Sequence, residues 1–496
     1  MELSIQLVLA FPLIGALSLA FVGQHRSASW LNILFSLFTF VAAIDLSVGL
    51  WKLDTAYLSE NQLFYIDAFN IYIILLTAFI GMNTAIFSHN YMREEVAMGK
   101  LTPVSMRIYH AMYQGFILSM LLALMSNNLG LLWVAIEAAT LFTVLLVSLY
   151  RTPESIEAAW KYFILCGVGI AQALFGTVLI YFAAAQVIPE PETALLWHTL
   201  YQSAAQLEPT VMSIAFVFLL VGYGTKFGLA PLHNWLPDTY SEGPPPVTVV
   251  LSGLLLNIAL YGLVRVKILV DHSLQTNLPG QLMMGFGLLS LIIAALFIHR
   301  QRDIKRLFSY SSIEHVGLMT FALGLGTPLT TFAALLHLLA HSLAKSAIFM
   351  IIGYIVHRVG TQAMEKIRGL LHTDPKLGWS FFIGTAAIAG VPPFGIFTGE
   401  FLLLIATIKT SPWLGLIVIL GITVAFAGLL RHIQPIVYGD ASQPAYLPPV
   451  ELRPQMWLIS IHLALVLWLG LSIPPFLAKW FEQATLLISG SSIQGF

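Results

Sequence analysis

Residues 221–246 read VGYGTKFGLAPLHNWLPDTYSEGPPP. The segment begins inside an apolar run long enough to be a membrane helix, and Lys226 stands within that run. Pro231 follows five residues later, then His233, Trp235, Pro237 and Asp238. Three consecutive prolines, Pro244 to Pro246, open the next apolar run. Proline withholds a backbone N–H and clashes with the preceding turn, so the run breaks just beyond its charge. A lysine at the centre of a bilayer costs about 2.5–3.5 kcal/mol on insertion scales. Backbone groups freed at such a break are tolerated only where protein or water satisfies them. A charge beside a broken helix therefore predicts a polar, hydrated place inside an apolar protein.

The composition agrees with that reading. Of the 496 residues, 58% are hydrophobic and 9% charged, against about 25% charged in soluble proteins. So little polar surface cannot wrap so large an apolar core, and lipid must be the solvent for most of the chain. The net charge of −1 gives no case for nucleic acid. One cysteine, Cys166, excludes an internal disulfide, a cysteine-ligated iron–sulfur cluster and a structural zinc site of the usual kind. No Gly-rich phosphate loop follows a strand pattern. The expectation is a chain with no cofactor and no metal of its own. The opening residues, MELSIQLVLAFPLIGALSLAF, lack the basic start of a signal peptide and are long enough to span, so they read as the first membrane helix.

A span needs about 20 mostly apolar residues. Such runs occupy 3–22, 30–51, 67–88, 108–126, 128–149, 159–185, 210–231, 246–270, 279–299, 305–324, 328–356, 378–408, 412–436 and 454–477, which makes fourteen. The fourth and fifth are divided only by Ser126, Asn127 and Asn128. The predicted fold is an all-α polytopic membrane protein of about 14 transmembrane helices. The loops after odd-numbered helices hold fourteen Lys and Arg residues. The opposite loops hold five, with Arg265 and Lys267 counted near the end of helix 8. The positive-inside rule makes the first side cytoplasmic, so both termini are expected on the non-cytoplasmic side.

Eight ionisable residues remain at depth: Glu137, Lys226, Glu314, His315, His337, His341, Lys345 and Glu400. Lys161 and Lys305 lie nearer helix ends, where a long cationic side chain can reach the interface. His315 can be a neutral histidine satisfied within the core. His337, His341 and Lys345 are spaced i, i+4, i+8 and so share one helix face. Two histidines at that spacing can bind a metal, but no third ligand is evident, and a lysine on the same face disfavours a cation. A polar stripe lining a hydrated path is the better reading. Glu137, in LLWVAIEAATLF, and Lys226 sit mid-span among apolar neighbours. The choice for them is an ion path or a structural salt bridge.

Helix 12 carries a second break. In AGVPPFGIFTGEF, Pro392, Pro393 and Gly395 precede Glu400. Interrupted helices at matching places in two halves point to an inverted repeat with its ion site between the halves. Lys226 and Glu400 are 174 residues apart, and Glu137 and Glu314 are 177 apart. These offsets predict two inverted five-helix repeats, helices 4–8 and 9–13, with helices 7 and 12 broken. The chain then divides into helices 1–3 (1–107), a first repeat (108–270), a second repeat (271–437) and helix 14 (438–496).

These segments resemble a known family. Glu137 in helix 5, KFGLAPLHNWLPD (226–238), DIKRLFSYSSIEHVG (303–317), LLHLLAHSLAKSAIF (335–349) and GVPPFGIFTGEF (390–401) are similar to the antiporter-like subunits of respiratory complex I, Mrp-type cation/proton antiporters and membrane-bound hydrogenases. Within that superfamily, YSEGPPPVTVVLSGLLLN (240–257) and GVPPFGIF most resemble the F component of hydrogenase-4 type complexes. Glu400 matches the M-type subunit of complex I, where the L-type has lysine. One departure stands out. Asn257 occupies the place where the family often has a helix-8 lysine, and asparagine can hold water but cannot carry a proton as lysine does.

The resemblance implies a proton relay across the membrane. Glu137 would pair with Lys226 and switch its protonation as the two approach or separate. Desolvation favours the neutral amine and a nearby carboxylate favours the ammonium. The proton would pass by His337, His341 and Lys345 to Glu400, with His233 near the cytoplasmic end. Lys305, Glu314 and His315 would be further relays. With no cofactor on the chain, the resemblance implies partners: other membrane subunits and a soluble iron–sulfur, [NiFe]-hydrogenase-like or quinone-reactive module, in the cell (inner) membrane. The competing readings are a Na+/H+ antiporter subunit of Mrp type and a membrane scaffold that no longer pumps, the latter favoured only by Asn257.

Overall fold

A computed structural model describes residues 1–274, 276–440 and 455–492. Arg453, one of the expected loop charges, and most of the polar stretch 437–453 lie outside the described residues. The chain is helical almost throughout. It begins with α1 (Glu2–Val22), α2 (Ala28–Leu53), α3 (Ala68–Ala97), α4 (Pro103–Met125), α5 (Leu129–Val147) and α6 (Pro153–Ala184). A short α7 (Trp197–Ser203) precedes the first broken helix, α8 (Pro209–Lys226) and α9 (Trp235–Glu242). Next, α10 (Pro245–Val250) passes through a π-helical turn, Leu251–Leu255, into α11 (Leu256–Ser273). Then come α12 (Leu278–Ile298), α13 (Ile304–Leu325) and α14 (Pro328–Val359). The second broken helix is α16 (Pro375–Ile388) and α17 (Gly395–Thr410), preceded by α15 (Leu370–Thr373). The last three are α18 (Pro412–Tyr438), α19 (Met456–Leu471) and α20 (Pro475–Ser489). A two-residue antiparallel ribbon, β1 (Tyr57–Leu58) on β2 (Tyr65–Ile66), lies between α2 and α3.

Local chemistry sets the helix ends. The boundary at Ser126–Asn128 is real: Asn128 caps α5, its Oδ1 accepting from the Gly130 and Leu131 N–H groups. Asp67 caps α3 by accepting from Phe69 and Asn70, while Asn70 accepts from the Asp67 N–H. Each satisfies donors that a helix start leaves free. Proline in the first turn of α4, α6, α8, α10 and α14 costs nothing there because that N–H is free anyway. Both breaks turn on a glycine in the left-handed region, Gly228 (φ 80°) and Gly390 (φ 68°), a conformation that other residues rarely tolerate.

Among the described residues, eleven helices are long and apolar enough to cross a membrane, or twelve if α19 and α20, which meet at 69°, form one span. Two of the fourteen runs fall outside this count for physical reasons. Run ten became α13, which carries Lys305, Arg306 and Glu314. Run twelve became two helices of 14 and 16 residues, each too short to span alone.

The bundle has an inside and an outside. The most apolar windows of α10–α11 and α14 are 100% and 94% buried within the protein, whereas those of α1, α6, α12 and α18 are 28–39% buried. The outer helices turn residues such as Phe21, Phe182 and Leu420 outward, as lipid-facing helices must. Polar residues inside a membrane belong on faces covered by protein, and the most covered helices, α11 and α14, carry Asn257, His337, His341 and Lys345. Small residues permit close approach of helix backbones. A Cβ at Gly287 of α12 would lie 2.6 Å from the Phe321 amide nitrogen of α13, and one at Gly222 of α8 would lie 2.6 Å from that of Ala173 in α6.

Candidate functional site

Lys226 is the last residue of α8, fully buried just before the chain breaks. Its ammonium donates to the Thr140 hydroxyl, and to the Tyr162 hydroxyl at 3.0 Å. It lies 4.8 Å from the Tyr162 ring centroid. Tyr162 in turn shares a 2.8 Å hydrogen bond with Thr143 and packs on Trp235, whose indole N–H holds the Thr225 carbonyl at 2.8 Å. Thus α5, α6 and both parts of the broken helix surround one amine. Glu137 is on α5 one turn before Thr140, near enough to interact with both Thr140 and Lys226. No Glu137–Lys226 ion pair forms within 4 Å among the described residues, and Glu137 Oε2 is buried without a hydrogen bond. The expected partners are brought together, with Thr140 as intermediary.

The second group gathers at α17. Glu400 stands in its second turn, 8% exposed, with its carboxylate against Gly390, where a Cβ would overlap it. His315 Nδ1 of α13 lies 3.8 Å from Glu400 Oε1 and 3.1 Å from His337 Nε2 of α14. His341 completes the imidazole cluster, its ring centroid 5.2 Å from that of His315 and 6.5 Å from that of His337. Neither His341 nitrogen has a hydrogen-bond partner among the described residues. Donor atoms of His315, His337 and Glu400 all lie within 4.8 Å of one another, which supplies the third group that the sequence did not reveal. A cation would need the lone pairs of both facing nitrogens. A 3.1 Å nitrogen–nitrogen contact is instead a hydrogen bond with a proton between them, so the cluster suits a mobile proton better than a metal.

Lys345 is within electrostatic range of His315 and His341 but hydrogen-bonds to the backbone of α13. Its ammonium donates to the Phe308 carbonyl at 2.7 Å and lies 5.6 Å from the Phe308 ring. Glu314 is within electrostatic range of Lys345, but forms no ion pair within 4 Å among the described residues. Asn257 lies between the two groups. Its amide donates to Ser342 Oγ of α14 at 2.7 Å and to the Gly253 carbonyl at 2.9 Å. The π-helical turn just before it, Leu251–Leu255, is a form that often marks functional positions. Since α11 packs on α8 and the π-helical turn that leads into it packs on α14, Asn257 ties α11 to α14 through Ser342.

Five residues, Lys161, His233, Asp238, Lys305 and Arg306, lie at the bundle end. Lys161 and Arg306 both bind Asp238, Arg306 at 2.5 Å. Both are about 40% exposed, a setting in which such pairs contribute about 0–1 kcal/mol. His233 is buried, its ring 6.0 Å from that of Tyr310. Lys305 is 4% exposed and donates to the Ser241 and Gly243 carbonyls at 2.8 and 3.0 Å, closing the C-terminal end of α9. Arg265, expected near a loop, is instead 2% exposed. It holds Asp67 with two contacts at 2.8 Å beneath the rings of Trp197, Phe69 and Tyr261. Sequence reading missed this clamp, and it missed Thr140, Tyr162 and Ser342. The only available signal was polarity inside otherwise apolar runs.

Two broken helices facing buried lysines, histidines and carboxylates define an antiporter-like membrane protein. The chain belongs to the NADH:quinone oxidoreductase/Mrp antiporter transmembrane family, whose pattern matches residues 126–426. It is 46% identical over 487 residues to a hydrogenase-4 component F homolog of Methylacidiphilum infernorum, covering 97% of this chain and 99% of that one. Its fold is similar to a chain of the archaeal membrane-bound sulfane sulfur reductase complex, with TM-score 0.88 and 24% identity over 99% of this chain and 98% of that one. A chain of the Mrp complex from Dietzia sp. DQ12-45-1b matches with TM-score 0.83 and 19% identity, again over 99% and 98%.

Proposed function

We propose that this chain is the proton-translocating membrane subunit of a multi-subunit redox complex of the hydrogenase-4 or complex I kind. One observation carries the reading: the bundle gathers buried Lys226, Glu314 and Lys345, with Glu137 half-buried beside Lys226, without joining any of them in an ion pair within 4 Å among the described residues. Buried charges retained only for stability are expected to be paired. Groups left separate can change protonation.

On this reading a proton held at Lys226 moves when Glu137 approaches or withdraws past Thr140. It crosses by Asn257, Ser342 and water to the His341, His337 and His315 cluster, and leaves by Glu400. Lys345 and Glu314 act beside that line, and His233 and Lys305 act at the basic end of the bundle. The asparagine orders water without itself becoming charged, so the crossing at Asn257 is water-borne. Moving one proton against about 100 mV costs about 2.3 kcal/mol, and an electron-transfer module in partner subunits supplies it. The iron–sulfur and [NiFe] or quinone-reactive partners belong to this proposal, as does residence in the cell (inner) membrane with both termini on the non-cytoplasmic side. So do the fourteen crossings, which add α13 and the joined α16–α17 to the spans above, the two inverted repeats and the domain limits at 107, 270 and 437.

The test uses the intact complex in sealed vesicles, with proton pumping read against electron transfer. Lys226→Met and Glu137→Gln are each expected to lower pumping per electron at least tenfold. Normal pumping in both variants removes the relay. Membership of a family that includes Mrp antiporters favours Na+/H+ exchange as a second reading. It predicts sodium-dependent proton movement without any electron donor.

A further inference from the structure

A second cluster of buried titratable groups lies at the basic end of the bundle, and the relay above does not use it. Glu95, near the end of α3, is 1% exposed. Its Oε1 accepts from Lys100 at 3.1 Å, with Lys100 half in solvent, and its Oε2 has no hydrogen bond among the described residues. Beside it, Glu94 Oε2 lies 3.3 Å from Nε2 of His357, at the end of α14. Neither atom is aligned for a hydrogen bond, and His357 Nδ1 is also unpartnered. His357 is 5% exposed and packs edge-on against Tyr91, while Tyr150 reaches both Tyr91 and Glu95. Lys305, at the start of α13, is within electrostatic range of Glu95, Glu242 and Asp303.

The backbone fixes this arrangement. Ile304 N–H donates to the Gln362 carbonyl at 3.0 Å and Met364 N–H to the Arg302 carbonyl at 2.9 Å, tying the end of α14 to the start of α13. Pro245, the second of the three prolines, lies so close to α14 that a Cβ at Gly353 would approach it to 2.9 Å. The proline stretch therefore walls the cluster on the side where Ser241 and Gly243 hold Lys305.

A cluster kept for packing would pair its charges and satisfy its polar atoms, because unpaired buried groups are costly. This one pairs Glu94 with His357 and Glu95 with Lys100, yet among the described residues Glu94 Oε2, Glu95 Oε2 and both His357 nitrogens make no hydrogen bond. One end reaches solvent through Lys100. The other reaches Lys305, one turn before Phe308, whose carbonyl holds Lys345. Ser309 and Ser312, fully buried, continue from Lys305 along α13.

We propose that Glu95, Glu94 and His357 form a proton-uptake port that delivers protons from solvent to Lys305 and on to Lys345. It is separate from the approach to Lys226 by His233. A solvent proton binds the free oxygen of Glu95 or the imidazole of His357. It is then handed inward, restoring the original charge of the donor. The titratable and charged groups around Glu94, Glu95 and His357 are Arg93, Lys100, Lys305, Tyr91 and Tyr150. This inference rests on the proton-translocation reading above, and the test separates the two.

In vesicles of the intact complex, Glu95→Gln, His357→Asn, Lys226→Met and Glu137→Gln are compared for pumping per electron. Glu95→Gln and His357→Asn are expected to fall about three- to tenfold, with Glu95→Asp near wild type and His357→Asn partly restored by imidazole in the buffer. If Lys226→Met and Glu137→Gln both pump normally, the translocation reading fails, and the port with it. If either stops pumping while Glu95→Gln and His357→Asn pump as wild type, the port alone is overturned. Loss that neither the aspartate nor imidazole restores, together with a lower melting temperature, assigns the cluster to packing and also overturns it.

Discussion

The two broken helices solve one problem with opposite chemistry. At the first break the charge precedes the turn, and hydroxyls and an aromatic face hold it: Lys226 touches Thr140 and Tyr162. At the second break the charge follows the turn, and imidazoles face it: Glu400 lies against Gly390 and near His315. A cation that can donate is met by acceptors that never ionise at neutral pH. A carboxylate is met by groups that can themselves take the proton. The first arrangement suits storage of a proton and the second suits its transfer. Two half-sites of like position are therefore not two copies of one device.

The largest test of this contrast removes the acid at the second break. Glu400→Gln keeps the shape and the contact with Gly390 but cannot ionise. If the two breaks lie on one serial route, pumping per electron falls at least tenfold, as it does for Lys226→Met. If it falls only by about half, the breaks serve separate routes and the contrast between storage and transfer is lost.

The crossing between the breaks comes next. Asn257→Leu removes the amide that binds Ser342 while keeping a similar volume. Pumping is expected to drop about tenfold, while Ser342→Ala, which leaves the amide in place, loses about two- to threefold. Pumping unchanged in Asn257→Leu would mean that protons cross elsewhere. The leucine variant would then match the scaffold reading at this one position without supporting it at Lys226.

How much of this was legible in the sequence can be read from the same residues. Most of the apolar runs, the divide at Ser126–Asn128 and both breaks follow from chain-local rules of span length, capping and proline geometry, and these are found, with eleven or twelve of the fourteen runs long and apolar enough to span. So is the shared face of His337 and His341, a matter of helical period. What local rules cannot supply is convergence. His315, His337 and Glu400 come from three helices, and only packing brings them within 4.8 Å. Arg265 looked like a loop charge because its helix end is polar. Asp67, nearly two hundred residues earlier, pulls it inside. Lys226 was expected to pair with Glu137, and the sequence offered Thr140 only as one more small residue in a membrane helix. The fourteen apolar runs also overstate what length and hydropathy alone certify. A helix such as α13, which needs protein rather than lipid around its charges, looks no different in one dimension.

A smaller effect reads the protonation state of Lys226 directly. Thr140→Val removes one acceptor from its amine. If that amine is charged, the lost hydrogen bond lowers stability by about 1.5–3 kcal/mol, and if it is neutral, by about 0.5–1.5 kcal/mol. Unfolding of the purified complex, compared with Tyr162→Phe, separates the cases. A loss in the upper range for both variants supports a stored proton at the first break.

The smallest effect is expected where an ion pair lies at the rim rather than in the interior. Asp54, just past α2, accepts from Lys479 at 2.7 Å and from Gln483 at 3.2 Å, joining α20 to the loop before the β-ribbon. The hydrogen bonds from Lys479 and then Gln483 hold its carboxyl below the ordinary value of 3.8. A depressed folded value means that the contact stabilises above the unfolded value and is lost as pH falls below about 3.8 through the lower folded value. Its side chain is more than half exposed, so solvent screens the interaction. Asp54→Asn is expected to shift the melting temperature at pH 7 by about 1 °C or less and to leave pumping per electron at the wild-type level. A loss of pumping in this variant would show that α20 and the outer loops take part in the path. The sharp division between the interior groups and the rim, on which the contrast of the two breaks depends, would then not hold.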